Sequence, residues 1–113
     1  MRIFSHIIAG AEHPSRSGRL LDVFDPAHGH VYARVAAGDA GDAADAIAAA
    51  EAAFPAWSTL QSTERARWLE RLADALEARL DDFAHAEAID SGKPYALARD
   101  AEIPRAIANL RFF

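Results

Sequence analysis

Along the first third of the chain the apolar positions recur with a period of two or fall in short runs, and from Asp39 onward they recur with a helical period. Strands followed by helices are therefore predicted. The run "HIIAG" is closed by Gly10, and "RLLDVFDP" is closed by Asp25 and Pro26. In "HVYARVAAG", Val31, Ala33 and Val35 share one face and His30, Tyr32 and Arg34 the other, as in a half-buried strand. "DPAHGH" joins the last two strands as a hairpin loop, with Pro26 presetting one turn dihedral and Gly29 free to take positive φ.

Asp39 is a predicted cap for a first helix whose Ala43, Ile47, Ala50 and Phe54 recur on one face and which Pro55 should end. "FPAWS" then reads as a linker, and Ser62 or Thr63 as the cap of a second helix. Leu69, Leu72, Ala73, Leu76 and Leu80 form its apolar stripe, while Glu64, Arg67, Glu70, Arg71 and Asp74 give it a charged, solvated exterior. A third helix starts at Asp81 or Asp82 and carries Phe83, Ala86 and Ile89 toward "DSGKP", where Gly92 supplies a left-handed cap and Pro94 opens the next segment. The last segment is helical, with Ile103, Ile107, Leu110 and Phe113 on its apolar face. A kink is expected near Pro104, because proline disfavours helical geometry at Ile103.

These elements leave a packing deficit. Three short strands cannot cover the apolar faces of four helical segments, and a small sheet leaves its edges open, so the chain is expected to need a partner. At 113 residues it is about one small domain. Asp and Glu number 17 against 12 Lys and Arg, a net charge of -5, which argues against nucleic acid or an anionic membrane as a partner. The start, "MRIFSHIIAGAEH", is too briefly apolar for a signal peptide or a membrane span, and a cytoplasmic protein is expected. No cysteine is present, which excludes disulfides, thiolate metal sites and thiol catalysis within this chain.

Candidate chemistry is sparse. A phosphate loop needs Gly five residues before Gly92 and Ser or Thr after Lys93, but Glu87 and Pro94 stand there, and the stretch follows a helix instead of a strand. His28 and His30 suggest a metal pair, yet no third ligand is evident beside them and zinc wants three or four, so polar turn residues are the better account. No strand-turn-helix setting for a nucleophilic serine occurs. Trp57, Trp68, Phe54 and Phe83 fall on helical faces and at helix ends, where packing explains them. From the residues alone an architecture follows, and no active site.

Taken in order, "FDPAHGHVYARVAAGDAGDAADAIAAAEAAFPAWS", "ERARWLERLADALEARLDDFAHAEAIDSGKP" and "EIPRAIANLRFF" resemble the amino-terminal region of the NAD(P)-dependent aldehyde dehydrogenases. The Pro-x-x-Gly hairpin, the Ala-rich helix ending in Phe and Trp-Ser, the Glu-Arg helix start and Asp-Ser-Gly-Lys-Pro occur in the family's order and spacing, over Ile7 to Phe113. The ending, together with "HIIAG", is most similar to the branch that oxidises 2-hydroxymuconic or 2-aminomuconic semialdehydes. One departure is the hairpin loop, where Asp25, His28 and His30 replace the family's usual Asn, Thr and Glu.

The resemblance implies an α/β fold. The whole of 1–113 would be an incomplete amino-terminal portion of a Rossmann-like cofactor domain, with hairpin strands over 1–37 and about four helices over 39–113. The cofactor loop, catalytic cysteine, general-base glutamate and oligomerisation hairpin of such enzymes lie later in the chain and have no counterpart here. The fragment alone is therefore expected to bind NAD or NADP poorly and, lacking cysteine, to form no thiohemiacetal. The expected partner is the remainder of the fold or another subunit, in relatives that are homo-oligomers.

The resemblance also carries over a monovalent-cation site. It would comprise backbone oxygens of Val23 and Phe24 and the carboxylate of Asp90, with a further ligand from outside this stretch; oxygen donors of this kind suit a hard cation. The alternative for Asp90 is local capping. The alternative for the chain as a whole is a non-catalytic interaction module that keeps the fold and binds through its open apolar faces.

Overall fold

The computed structural model describes residues 1–113. Five strands precede the helices: β1 (Arg2–Phe4), β2 (His6–Ile8), β3 (Ala11–His13), β4 (Leu20–Asp25) and β5 (His30–Ala36). The helices are α1 (Ala40–Ser58), α2 (Ser62–Glu77), α3 (Leu80–Ser91), α4 (Tyr95–Leu97) and α5 (Ile103–Phe112), with a π-helical turn over Ala98–Glu102 between the last two. Contacts divide the chain into two compact units, one of Met1–Phe24 with Gly29–Thr59 and one of Asp25–His28 with Leu60–Phe113.

In the first unit β1, β5 and β4 form a sheet in that order, β1 lying parallel to β5 with Ile3 opposite Arg34. The strands β2 and β3 make a separate hairpin, its tight turn formed by Ala9 and Gly10 at φ 51° and 78°. Positive φ at both central residues matches the twist of a two-residue hairpin. Ala33 and Ala36 of β5 are buried, as the predicted alternation requires for Ala33. Asp39 caps α1 as expected, its Oδ1 accepting from the backbone N–H of Gly41 and Asp42, while Asp42 accepts in return from the N–H of Asp39. Asp42 also accepts from the N–H of Arg16 at 2.9 Å, and Arg16 reaches Asp45 through two side-chain hydrogen bonds. The loop before β4 is thereby tied to the first turn of α1.

Pro55 does not end α1, which runs on to Ser58. The hydroxyls of Ser58 and Thr59 donate to the carbonyls of Pro55 and Ala56 and close the helix one turn later than predicted. The apolar face assigned to α1 is open, with Ile47 60 % and Phe54 63 % exposed.

The second unit packs α2 against α5, with α3 and the π turn alongside. Its buried apolar residues are small: Ala73, Ala84 and Ala98, with Ile107 the one larger apolar side chain. The cap of α2 is Gln61, one residue before the predicted Ser62, and its N–H donates to Glu64. Leu80 opens α3 instead of closing the stripe of α2, and Ala84, not Ala86 or Ile89, is the buried residue of α3. Gly92 takes the left-handed cap at φ 73°, as predicted. Near Pro104 the chain does not leave helical geometry, since Ile103 keeps φ -65° and ψ -44°. The preceding turn widens so that the N–H of Ile103 reaches Ala98 O, and this π turn accommodates the N–H that Pro104 lacks. Along α5 the predicted face holds for Ile103, Ile107 and Leu110, while Phe113 is exposed.

Candidate functional site

Two short stretches carry the polar groups that the sequence singled out. The first is the corner after α3. Ser91 Oγ donates to Glu87 O at 2.6 Å, and the N–H of Gly92 donates to Ala88 O, completing the end of the helix. Lys93 then forms ion pairs with Glu87, at 2.7 Å, and with Glu102 in the π turn. Hydrogen bonds that the Lys93 ammonium donates to these two carboxylates, Glu102 foremost, hold its pKa above the ordinary lysine range. A lysine committed to two carboxylates cannot cradle phosphate, in keeping with the motif's failure at Glu87 and Pro94. Gly92 lies against the hairpin turn: a Cβ there would come within 2.9 Å of Pro26 Cγ.

The second stretch is that turn. Asp25 is buried and its Oδ1 accepts from the backbone N–H of Ala27 at 2.8 Å, with a longer contact to that of His28. Its Oδ2 lies 2.8 Å from His28 Nδ1. The His28 hydrogen bond is the main cause that holds the Asp25 carboxyl below the usual carboxylate range. This corrects the expectation that no further ligand type stands beside His28. The signal was present as Asp-x-x-His-x-His, but without the turn geometry Asp25 counted only as a strand terminator.

The residues expected to hold a monovalent cation fall in different units. Val23 and Phe24 are consecutive in β4, half-buried and exposed respectively, and belong to the first unit. Because β4 is an edge strand, one row of its carbonyls points away from β5. Asp90 is exposed in the last turn of α3, in the second unit.

The strand order, the helix succession and the Gly-Lys-Pro corner together are those of an aldehyde dehydrogenase amino terminus. The model of the aldehyde dehydrogenase family matches residues 13–113, and this chain belongs to that family. Among curated relatives it is 46% identical over 93 residues to human 2-aminomuconic semialdehyde dehydrogenase, covering 82% of this chain and 19% of that protein. It is 41% identical over 114 residues to 2-hydroxymuconic semialdehyde dehydrogenase of Pseudomonas sp. strain CF600, covering 100% of this chain and 24% of the relative. Among solved structures, PnpE from Pseudomonas sp. WBC-3 superposes with a TM-score of 0.94 at 37% identity, over 99% of this chain and 23% of the other. PnpE has also been solved in complex with nicotinamide adenine dinucleotide. The chain thus spans about a fifth to a quarter of the length of the relatives it matches.

Proposed function

We propose that this chain supplies the amino-terminal part of an NAD(P)-dependent aldehyde dehydrogenase that oxidises a muconic-type semialdehyde to a carboxylic acid. The observation that carries the proposal is its 41% identity, over its full length, to the Pseudomonas 2-hydroxymuconic semialdehyde dehydrogenase. In this proposal the fragment is inactive by itself, since nucleophilic attack on the aldehyde needs a thiol that its residues do not contain. Its partner is the remainder of the fold or another subunit. Support comes from Ile47, Phe54, Trp57, Trp68 and Leu72, all large, apolar and exposed on α1 and α2. A cytoplasmic location belongs to the same proposal; no helix is long and apolar enough to cross a membrane.

The Val23 and Phe24 carbonyls and the Asp90 carboxylate would hold a monovalent cation once the remaining ligand is supplied. The exposed apolar helices also favour a second proposal, an interaction module without catalysis.

The test is a chimera in which this chain replaces the matching region of the Pseudomonas relative. Oxidation of 2-hydroxymuconic semialdehyde with formation of NADH by the chimera, and none by the 113-residue chain alone, is expected. An inactive but folded chimera, or turnover by the chain alone, would overturn the corresponding half of the proposal. Stable, soluble monomers of the chain by itself would count against the missing partner.

A further inference from the structure

The chain is poor in side chains that readily attack a carbon electrophile. It has no cysteine, and its single lysine, Lys93, is held as an ammonium by Glu87 and Glu102. Five histidines remain, and of these His6 has its Nε2 buried. We propose that His28 Nε2 is a covalent attachment site for α,β-unsaturated aldehydes, with Asp25 as the residue that positions its ring. In the step, the Nε2 lone pair forms a bond to the β-carbon, the carbon–carbon π pair moves toward the carbonyl as an enolate, and the enolate takes a proton from water at the α-carbon. The ring returns one proton to solvent from Nδ1. The aldehyde therefore adds whole, with no leaving group, oxidant or reductant.

Asp25 is buried, and its Oδ1 accepts the backbone N–H groups of Ala27 and His28, so the carboxylate is fixed in place by the turn itself. Its carboxyl is held below the usual range and is ionised at neutral pH, and an ionised carboxylate can only accept. At 2.8 Å from Oδ2, Nδ1 must carry the proton, which leaves the lone pair of the neutral ring on Nε2. The His28 side chain is 69% exposed, so an aldehyde reaches it without opening the core. His85 supplies the comparison. Its Nδ1 lies 2.8 Å from the carbonyl oxygen of Asp81, which fixes the same tautomer against a neutral acceptor. As the bond to carbon forms, the ring becomes positive, and hydrogen bonds to an ionised partner are about twice as strong as neutral ones, so Asp25 favours the adduct at His28 over that at His85. A muconic-type semialdehyde carries the required conjugated double bond; its place as the electrophile rests on the function proposed above, whereas the reactivity of His28 does not.

The experiment exposes the 113-residue chain to trans-2-hexenal at neutral pH, fixes the adducts with borohydride and locates them by peptide mass spectrometry. His28 should be modified first, roughly five- to tenfold faster than the exposed His13, His30 and His85, the factor by which a charge-assisted hydrogen bond exceeds a neutral one. Hexanal, which lacks the conjugated double bond, should leave His28 unmodified. In Asp25→Asn the side-chain oxygen still accepts the turn's amides, but its own amide N–H faces Nδ1 and moves the ring proton to Nε2. His28 should then react no faster than His13, and nitrogen NMR of the ring should show the exchanged tautomer. Equal rates at all exposed histidines, or a His28 rate unchanged in Asp25→Asn despite the exchanged tautomer, would overturn the proposal. Should Asp25→Asn lose its fold by circular dichroism, the parent decides: an Nδ1-protonated His28 that forms its adduct fastest supports the site, and preference for another histidine or for Lys93 refutes it. Absence of an adduct with 2-hexenal overturns the site whatever the chimera oxidises, and an inactive, folded chimera overturns the proposed function whatever His28 does.

Discussion

Replacing Gly92 by alanine tests whether the corner after α3 is built by its local conformation alone or also by its fit against the hairpin turn. At φ 73° and ψ 8° any residue with a Cβ carries a left-handed penalty of about 1–2 kcal/mol. The added Cβ would also sit 2.9 Å from Pro26 Cγ and 3.5 Å from Pro26 Cβ, inside normal contact, against a ring whose φ is fixed. Overpacking of this kind costs roughly 1–3 kcal/mol, so Gly92→Ala should lose about 2–5 kcal/mol in all. That is a large share of the roughly 5–15 kcal/mol typical of a domain. Gly18, at φ 67° with nothing within 4 Å of an added Cβ, isolates the conformational part. Urea denaturation followed by circular dichroism should therefore show Gly92→Ala well beyond Gly18→Ala. In a Pro26→Ala background, which removes Cγ, the excess should shrink, and the double-mutant cycle reports it as coupling. Equal losses for the two glycines, or no coupling to Pro26, would refute the proposed contact.

Ile107 of α5, 4% exposed, is the largest buried side chain of its unit; Ile107→Ala should cost about 2–5 kcal/mol in the same assay. Hydrogen bonds from the backbone N–H of Arg16 and then of Asp39 hold the Asp42 carboxyl below the ordinary range. Its stabilisation is thus complete above the unfolded carboxylate pKa of about 3.9 and is lost as pH falls through the lower folded value. Melting temperatures measured from neutral to acid pH should accordingly show a shallower acid decline in Asp42→Asn than in the parent. Lys93→Met would leave Glu87 and Glu102 without their shared cation. Hydrogen exchange should then accelerate first across the π turn Ala98–Glu102, and unchanged protection there would contradict the bridging role of Lys93.

Features governed by a few neighbouring residues were legible in the sequence. Asp39 caps α1 because its carboxylate reaches amides two and three residues on, and Gly92 ends α3 because the left-handed cap favours a residue without Cβ. The hairpin between β4 and β5 followed from Pro26 and Gly29 in the same way, and the family followed from the order and spacing of such motifs. Pro55 and Pro104 depart from the local rule because their surroundings override it. Hydroxyls at Ser58 and Thr59 close the helix beyond the first proline, and a widened turn absorbs the second.

What only the tertiary structure decided is non-local. The pairing of β1 with β5 joins residues distant in sequence, Arg2 with Ala33 and Phe4 with Val35, a partnership that periodicity does not encode. Periodicity also states which side chains share a face but not whether anything covers that face. Ile47, Phe54 and Leu72 therefore stand exposed, while Ala33, Ala73, Ala84 and Ala98 fill the places where backbones approach closely. Asp25 reads as the residue that stops a strand; the turn makes it the partner of the Ala27 and His28 amides and of the His28 ring, because a carboxylate's partners depend on where the chain folds back as much as on its neighbours in sequence.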